Sequence, residues 1–238
     1  MTKGRLFLIP TIISDETQEQ VISQEVRITI KGLNHFLVEN IRTARRYVSS
    51  LKLGINIESL KFEVLDKSTS ALMIEALMKP ILEGNDIGVI SESGCPGVAD
   101  PGALAVAFAH KNEIQVVPLV GPSSILMALM SSGFNGQSFV FHGYLPIDKL
   151  DRQKKIKMME EDAIRLNQTQ LFMDTPYRNE NLLEALLKTC NPNTQLSIAR
   201  DITGKKEFVK TKKIQDWKIQ KAPGLNKIPV IFALYQEH

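Results

Sequence analysis

The stretch at residues 86–102, DIGVISESGCPGVADPG, constrains the fold more than any other. Its apolar run, Ile87–Ile90, reads as a strand, and the twelve residues after it hold three glycines and two prolines. Asp100 and Pro101 then open a helical pattern. Asp is a favoured N-cap, and Pro fits the first helical position, where its missing N–H costs nothing. Strand, small-residue loop and helix N-terminus together describe a ligand loop at the carboxyl edge of an α/β sheet, where main-chain groups can approach a bound molecule. Twelve residues is long against the about 2–6 of an ordinary strand-to-helix connection, which argues against a plain connector.

The first half of the chain repeats this rhythm. Strands are expected at 5–9, 35–38, 60–65, 87–90 and 114–117, separated by helices at 15–30, 41–53, 68–82 and 102–110. Alternation of this kind implies βαβ units around a mainly parallel sheet, and the near-continuous apolar character of the strands implies cover on both faces. The small-residue segment 120–124, VGPSS, marks a junction between an N-terminal α/β domain, 1–119, and a C-terminal α/β domain, 120–238. Beyond it, helices are expected at 125–130 and 152–166. A third is capped by Thr175-Pro176 and carries Leu182, Leu183, Leu186 and Leu187. Strands are expected at 139–141, 170–173, 195–199, 207–211 and 229–234. The pair 195–199 and 207–211 forms an antiparallel hairpin around Thr203-Gly204, so the second sheet is mixed.

A length of 238 residues suits two compact units. The two cysteines, Cys95 and Cys190, form no CxxC, which points to a reduced, cytoplasmic protein. No apolar run approaches the about 18 residues of a membrane span. The run at 6–9 is too short for an export signal and is cut off by Pro10. Charge is uneven: residues 1–148 carry 12 lysines and arginines against 15 acids, and residues 149–238 carry 17 against 11. The basic half suits a polyanionic partner, although a solvated lysine-rich surface gives the same count.

Several chemistries are unsupported. His35, His110, His142 and His238 show no HxxxH or HExxH spacing, so no metal is expected. There is no GxxxxGK[ST] phosphate loop, no GxGxxG after the first strand and no GxSxG elbow. Three small-residue loops remain, at 10–11, 91–101 and 118–124, each following a strand and able to converge on one small molecule. Thr11, Ser91, Ser93, Ser123 and Ser124 offer hydroxyls there. Arg42, Arg178 and Arg200 follow strands and are open to two readings, anion binding or ion pairs with Glu39, Asp174 or Asp201. Glu92, Asp100 and His142 are the candidate bases, with Asp100 better suited to capping a helix. Cys95 adjoins nothing basic and reads as a packing residue.

At 91–102 and 116–124 the sequence resembles the tetrapyrrole-methylase superfamily of S-adenosylmethionine-dependent methyltransferases. Within it, the likeness is to the branch that methylates a cytidine 2′-oxygen of small-subunit ribosomal RNA. That branch's SDAGTPxxxDPG is matched by Ser91-Glu92-Ser93-Gly94-Cys95-Pro96 and Asp100-Pro101-Gly102. Its VVPLPGPxxA is matched by Val116-Val117-Pro118-Leu119-Val120-Gly121-Pro122-Ser123-Ser124, and its GFLP by Gly143-Tyr144-Leu145-Pro146. Weaker matches at Leu8–Thr11, Glu39–Arg42, Thr175–Arg178 and Ala199–Thr203 extend the likeness over nearly the whole chain. The family's PTPIGN reads Pro10-Thr11-Ile12-Ile13-Ser14-Asp15 here, its AEDTR reads Val38-Glu39-Asn40-Ile41-Arg42, and its YEG reads Phe141-His142-Gly143. Its late KGE is not recognisable around 226–229.

The resemblance implies two α/β domains holding S-adenosylmethionine in a cleft between them, in a homodimer. It implies cofactor contacts at Pro10, Ser91, Glu92, Ser93, Gly94, Cys95, Val98, Ala99, Asp100, Gly121, Ser123 and Ser124, and further at Met173, Ala199 and Pro229. Arg42, Tyr144, Arg178 and Arg200 are then substrate contacts, and Glu92 and His142 the bases to test. Ribosomal RNA is the implied acceptor. The alternatives are a tetrapyrrole-like macrocycle, whose carboxylates the arginines would clamp, or a paralogue that binds cofactor or RNA without catalysis.

Overall fold

The first five strands all run the same way, because each of the four connections between them is a helical crossover. In the computed structural model, which describes residues 2–236, the chain divides into two compact units, Met1–Ser123 and Ser124–His238. The first unit runs β1 (Leu6–Ile9), α1 (Gln18–Val21), α2 (Gln24–Gly32), β2 (His35–Val38), α3 (Ile41–Ser50), β3 (Lys61–Val64), α4 (Ala71–Leu82), β4 (Ile87–Ile90), α5 (Gly102–Lys111) and β5 (Val116–Pro118). Its sheet has the order β3-β2-β4-β1-β5 and is parallel throughout.

Alternate side chains along each strand feed two cores. Phe7, Ile9, Phe36, Val38 and Ile90 pack with Val26, Ile30, Ala44 and Val48 from α2 and α3. Leu6, Leu37, Ile87 and Val89 pack on the opposite face with Ile74, Met78, Ile81, Ala105 and Ala109 from α4 and α5. Each fully buried large aliphatic side chain stabilises the unit by about 1.5–3 kcal/mol before entropy is set against it. The helices therefore leave β1 toward one face and β4 toward the other. These two strands are neighbours, so a crevice opens at their carboxyl ends, the position at which doubly wound sheets bind ligands.

The second unit runs α6 (Ser124–Ser132), β6 (Phe139–Tyr144), α7 (Lys149–Arg165), β7 (Thr169–Met173), α8 (Asn179–Thr189), β8 (Gln195–Arg200), β9 (Phe208–Lys213), α9 (Ile214–Ile219) and β10 (Val230–Tyr235). Its sheet has the order β6-β7-β10-β8-β9, with β6 and β7 parallel and the other pairs antiparallel. One face carries Phe172, Phe232, Leu196 and Ile198 against Ile156, Met159, Leu182, Leu186 and Trp217. The hairpin expected around Thr203-Gly204 is present, with Gln195 opposite Lys213 and Arg200 opposite Phe208.

Several expected elements are corrected. The helix expected at 15–30 is two, because Ile22 is extended and the Ser23 side chain accepts from Val26 N–H to start a new helix. Thr175-Pro176 does not cap α8. It lies in a preceding turn, and α8 begins after Arg178 with no side-chain cap. The helix after the long loop begins at Gly102 as expected, but Pro101 rather than Asp100 takes the N-cap position, and Asp100 stands one residue before it. A short helix, α9, lies where none was expected, closed against the core by Trp217, whose indole N–H donates to the Leu196 carbonyl at 2.9 Å.

Candidate functional site

Three loops leave the adjacent carboxyl ends of β4, β1 and β5, and their main chains are tied to one another. Thr11 N–H donates to the Gly94 carbonyl at 2.9 Å, and the Ser91 hydroxyl donates to the same carbonyl at 3.0 Å. The Cys95 thiol donates to the Pro122 carbonyl at 3.3 Å. The Tyr47 hydroxyl, from α3, reaches the Pro10 carbonyl at 2.8 Å. Gly121 lies so close to Pro10 that a Cβ there would fall 2.1 Å from the proline Cβ. Convergence of the loops therefore depends on small residues at the contact points.

The long loop turns sharply. Gly94, Gly97 and Ala99 all have positive φ, the last a conformation that a residue with a Cβ adopts at a cost. Asp100 holds the turn: its Oδ1 accepts from Gly97 N–H and Gly102 N–H, both at 2.7 Å. Of the two readings of Asp100, base or cap, the hydrogen bonds are structural: from one residue before the N-cap position its Oδ1 braces the turn and the first N–H of α5. Burial raises its carboxyl above the usual range, and the two backbone donors offset part of that. Burial, then the charge of Asp100, raises the Cys95 thiol, which fits packing rather than nucleophilic chemistry.

Acidic groups gather at the neighbouring end of β2. Glu92 Oε1 accepts from the Thr43 hydroxyl at 2.8 Å, and Glu39 Oε1 lies 3.4 Å from Glu92 N. Burial raises the Glu39 carboxyl, with the Glu92 N–H pulling the other way. The Asn40 side chain accepts from Arg42 N–H and Thr43 N–H, capping α3. The amide that stands in place of the family's acid therefore serves the helix. Beside this edge lies a cavity of about 440 Å³, bounded by Thr11, Tyr47, Ser91 and Glu92.

The expected site residues divide between the units. Pro10, Ser91, Glu92, Ser93, Gly94, Cys95, Val98, Ala99, Asp100, Gly121 and Ser123 lie at the carboxyl edge of the first sheet, with Arg42 exposed at the start of α3. In the second unit, Met173 and Ala199 flank Ile231 from the strands on either side of β10, Tyr144 pairs with Met173, and Pro229 immediately precedes β10. These four mark one end of that sheet. Ser124 opens α6. His142 Nε2 meets Gln170 Oε1 at 2.7 Å, and burial lowers its pKa, opposed by that hydrogen bond. Arg178 is committed to a buried carboxylate, Asp174, at 2.5 Å, which is the ion-pair reading. Arg200 keeps its Nε buried with no hydrogen-bond partner. Thr43, Arg46 and Tyr47 were not singled out from the sequence. On α3 they read as ordinary helix positions, and only the fold brings them beside the loops.

A doubly wound parallel sheet with interlocked small-residue loops at its switch point, followed by a mixed α/β unit, defines a small-molecule-binding α/β enzyme fold. The chain belongs to the tetrapyrrole (corrin/porphyrin) methylases, whose family pattern matches residues 45–217. It is 29% identical over 201 residues to the ribosomal RNA small subunit methyltransferase I of Halalkalibacterium halodurans, covering 84% of this chain and 65% of that protein. It is 26% identical over 206 residues to the protein of the same name from Buchnera aphidicola, covering 87% and 68%. The chain thus spans about two thirds of the length of these relatives. Among solved structures, the methyltransferase CobJ superposes with a TM-score of 0.62 at 17% identity over 98% of this chain and all of that one. A uroporphyrin-III C-methyltransferase from Thermus thermophilus superposes with 0.55 at 15% identity, over 98% and 92%. These two show the fold. Among the described residues, no helix is long and apolar enough to cross a membrane, and no group of histidine, cysteine and acidic side chains is arranged to hold a metal.

Proposed function

We propose that this chain is an S-adenosylmethionine-dependent methyltransferase acting in the cytoplasm on ribosomal RNA of the small subunit, at the 2′-hydroxyl of a cytidine. The single observation that carries the reading is the interlocked loop set at 10–11, 91–100 and 121–123, read with the family and the relatives' names. Its close main-chain approaches, Gly121 against Pro10 and Thr11 to Gly94, build the side-chain-poor cradle that a nucleoside-bearing cofactor needs. The main chain of 91–100 and 121–123 would hold the cofactor. When bound, that group supplies a methyl on a positively charged sulfur.

The protein's part is to align the acceptor oxygen behind that methyl and keep water out. Positioning of this kind can supply about 7–11 kcal/mol. The acceptor hydroxyl must also lose its proton. Glu92, held by Thr43 at the edge of the loops, is the base we assign. The lysine-rich second half supports a phosphate-bearing acceptor.

The test supplies tritium-labelled methyl donor to unmodified small ribosomal subunits, with S-adenosylhomocysteine binding followed in parallel by thermal shift. The reading expects a raised Tm with the homocysteine compound, label in RNA, and a kcat lowered at least tenfold by Glu92→Gln. Label in a carboxylated macrocycle alone, or cofactor binding without transfer to any acceptor, would overturn it. Light scattering of the same sample tests the homodimer that belongs to this reading.

A further inference from the structure

Two arginines of the second unit sink into its core without a counter-charge. Arg152 is 9% exposed, and its Nε is buried with no hydrogen-bond partner; the Nε of Arg200 is buried and unpartnered as well. Among the described residues, no acid pairs with either guanidinium. The acids beside them in sequence are engaged elsewhere. Asp148 accepts from Leu150 N–H and Asp151 N–H to cap α7, Asp151 meets Lys154 at 3.4 Å, and Asp201 accepts from Lys206 N–H at 2.8 Å within its own turn. Arginine is almost never this deeply buried unless it is paired, because taking its charge out of water is costly. Only Nε is enclosed, so the Nη groups of both remain reachable from outside.

The sheet brings the two to one corner. β6, β7 and β8 run the same way and finish at one end, since β10 is antiparallel to both β7 and β8. Arg200 is the last residue of β8. It lies opposite Val230 and Phe208, both part of the core under the helices, and so shares their face. Arg152 is in the first turn of α7, one turn before the core residue Ile156, on the stripe that α7 lays over β7 and β10. That turn follows β6 and stands at the same end. Helix α8, packed between α7 and α9, also starts there, with no side-chain cap on its first N–H groups. Its first residue, the buried Asn179, is fixed by donating from Nδ2 to the Ile228 carbonyl at 2.7 Å. With Arg178 and Asp174 the corner holds three guanidiniums against one carboxylate, a formal balance of +2.

We infer that this corner binds a phosphate-class anion, with Arg152 and Arg200 as its two guanidinium arms. Phosphate oxygens accept in pairs from a planar guanidinium, and the open start of α8 favours the same charge. The buried stems hold both arms in place before the ligand arrives, so little freedom is lost on binding. Arg178 adds charge, but its own fork is taken by Asp174. Two sources carry this chemistry, a phosphodiester of an RNA and a free phosphate-bearing small molecule. The site is a discrete one, separate from the lysines spread along β9. It requires no methyl donor and stands or falls apart from the methyltransferase reading.

The test titrates the full chain, without donor, with inorganic phosphate at constant ionic strength, reading Tm and, by calorimetry, Kd. Phosphate is expected to raise the Tm of wild type, as a ligand of the native state does. Arg152→Met and Arg200→Met keep a long apolar stem and remove the charge; each is expected to weaken phosphate by about tenfold, the worth of a lost charge-assisted pair. In phosphate-free buffer Arg152→Met is expected to melt no lower than wild type, since an unpaired buried charge is gone. A labelled single-stranded RNA then separates the sources. Competition by inorganic phosphate, with RNA binding weakened in both variants, identifies an RNA phosphodiester; RNA binding untouched by variants that have lost phosphate identifies a free phosphate compound. No phosphate binding, or an affinity that both variants leave unchanged, overturns the site even if the chain methylates RNA. An Arg152→Met chain that melts well below wild type without phosphate overturns it too, because the charge is then satisfied inside the protein.

Discussion

A Cβ added to Gly121 would lie 2.1 Å from Pro10 Cβ and 2.3 Å from its Cγ, against a rigid ring rather than a flexible side-chain end. Gly121→Ala must therefore push two loops apart, an overpacking that costs about 1–3 kcal/mol. Urea unfolding should show the loss, and the affinity for S-adenosylhomocysteine should fall with it, since the same contact shapes the cradle. A variant as stable and as tight-binding as wild type would mean that the loops do not depend on each other. A second residue-scale effect concerns pH. His35 is buried, and its Nε2 meets Glu63 Oε2 at 2.5 Å. Burial lowers the histidine pKa from its ordinary 6.5, with Glu63 opposing, so the folded chain holds fewer protons than the unfolded one once pH drops below that value. Stability is then full above about 6.5 and is lost as pH falls through it. Glu63, itself lowered because Lys61 and His35 outweigh its burial, shifts stability the same way at lower pH. Tm measured from pH 7.5 to 5 should decline in wild type and decline less in His35→Gln.

At the scale of elements, helix α3 joins the fold to the site. Its N-terminus is capped by Asn40, and along its length it presents Thr43 to Glu92, Arg46 to the cavity and Tyr47 to Pro10. Asn40→Ala should cost about 1 kcal/mol through the lost cap, whereas Asn40→Asp should hold stability, since a carboxylate caps equally well and favours the helix dipole. Denaturant midpoints of the two variants check this ordering, and a neutral Asn40→Ala would contradict it. Elements were legible where periodicity and end signals agreed: β2 and β4 lie at 35–38 and 87–90 as read, because apolar runs bounded by turn residues leave no other choice. They were misread where a side chain acts locally. Ser23 splits a continuous helical pattern by capping its second half, and the Thr175-Pro176 pair spends itself in a turn. The three loops could be recognised singly from their small residues. The cavity could not, because its walls come from 11–18, 43–50 and 90–92, segments that meet only after β1 and β4 pair.

At the scale of the whole molecule, the uneven charge has a measurable consequence. The acidic first 148 residues include the three interlocked loops of the proposed donor site, while residues 149–238 carry six more basic than acidic groups, among them Lys205, Lys206, Lys210, Lys212, Lys213, Lys218 and Lys221. Strand β9, at the edge of its sheet, bears three of these lysines, a placement that also blocks strand-to-strand aggregation. If these lysines neutralise about four phosphates of an RNA acceptor, counterion release sets a slope near −0.7 for each contact. The acceptor's affinity then falls on the order of 50-fold between 50 and 200 mM salt. On the proposed reading the donor meets main-chain groups and small side chains, and it should bind nearly independently of salt over the same range. Measuring acceptor KM and S-adenosylhomocysteine Kd side by side separates the two. Replacing Lys210, Lys212 and Lys213 by glutamine should flatten the acceptor's slope by about two log units per log unit of salt and leave the donor untouched. A slope unchanged by the replacements would place the phosphate contacts elsewhere on the chain, and a flat slope in the wild type would argue for an acceptor without a phosphate backbone.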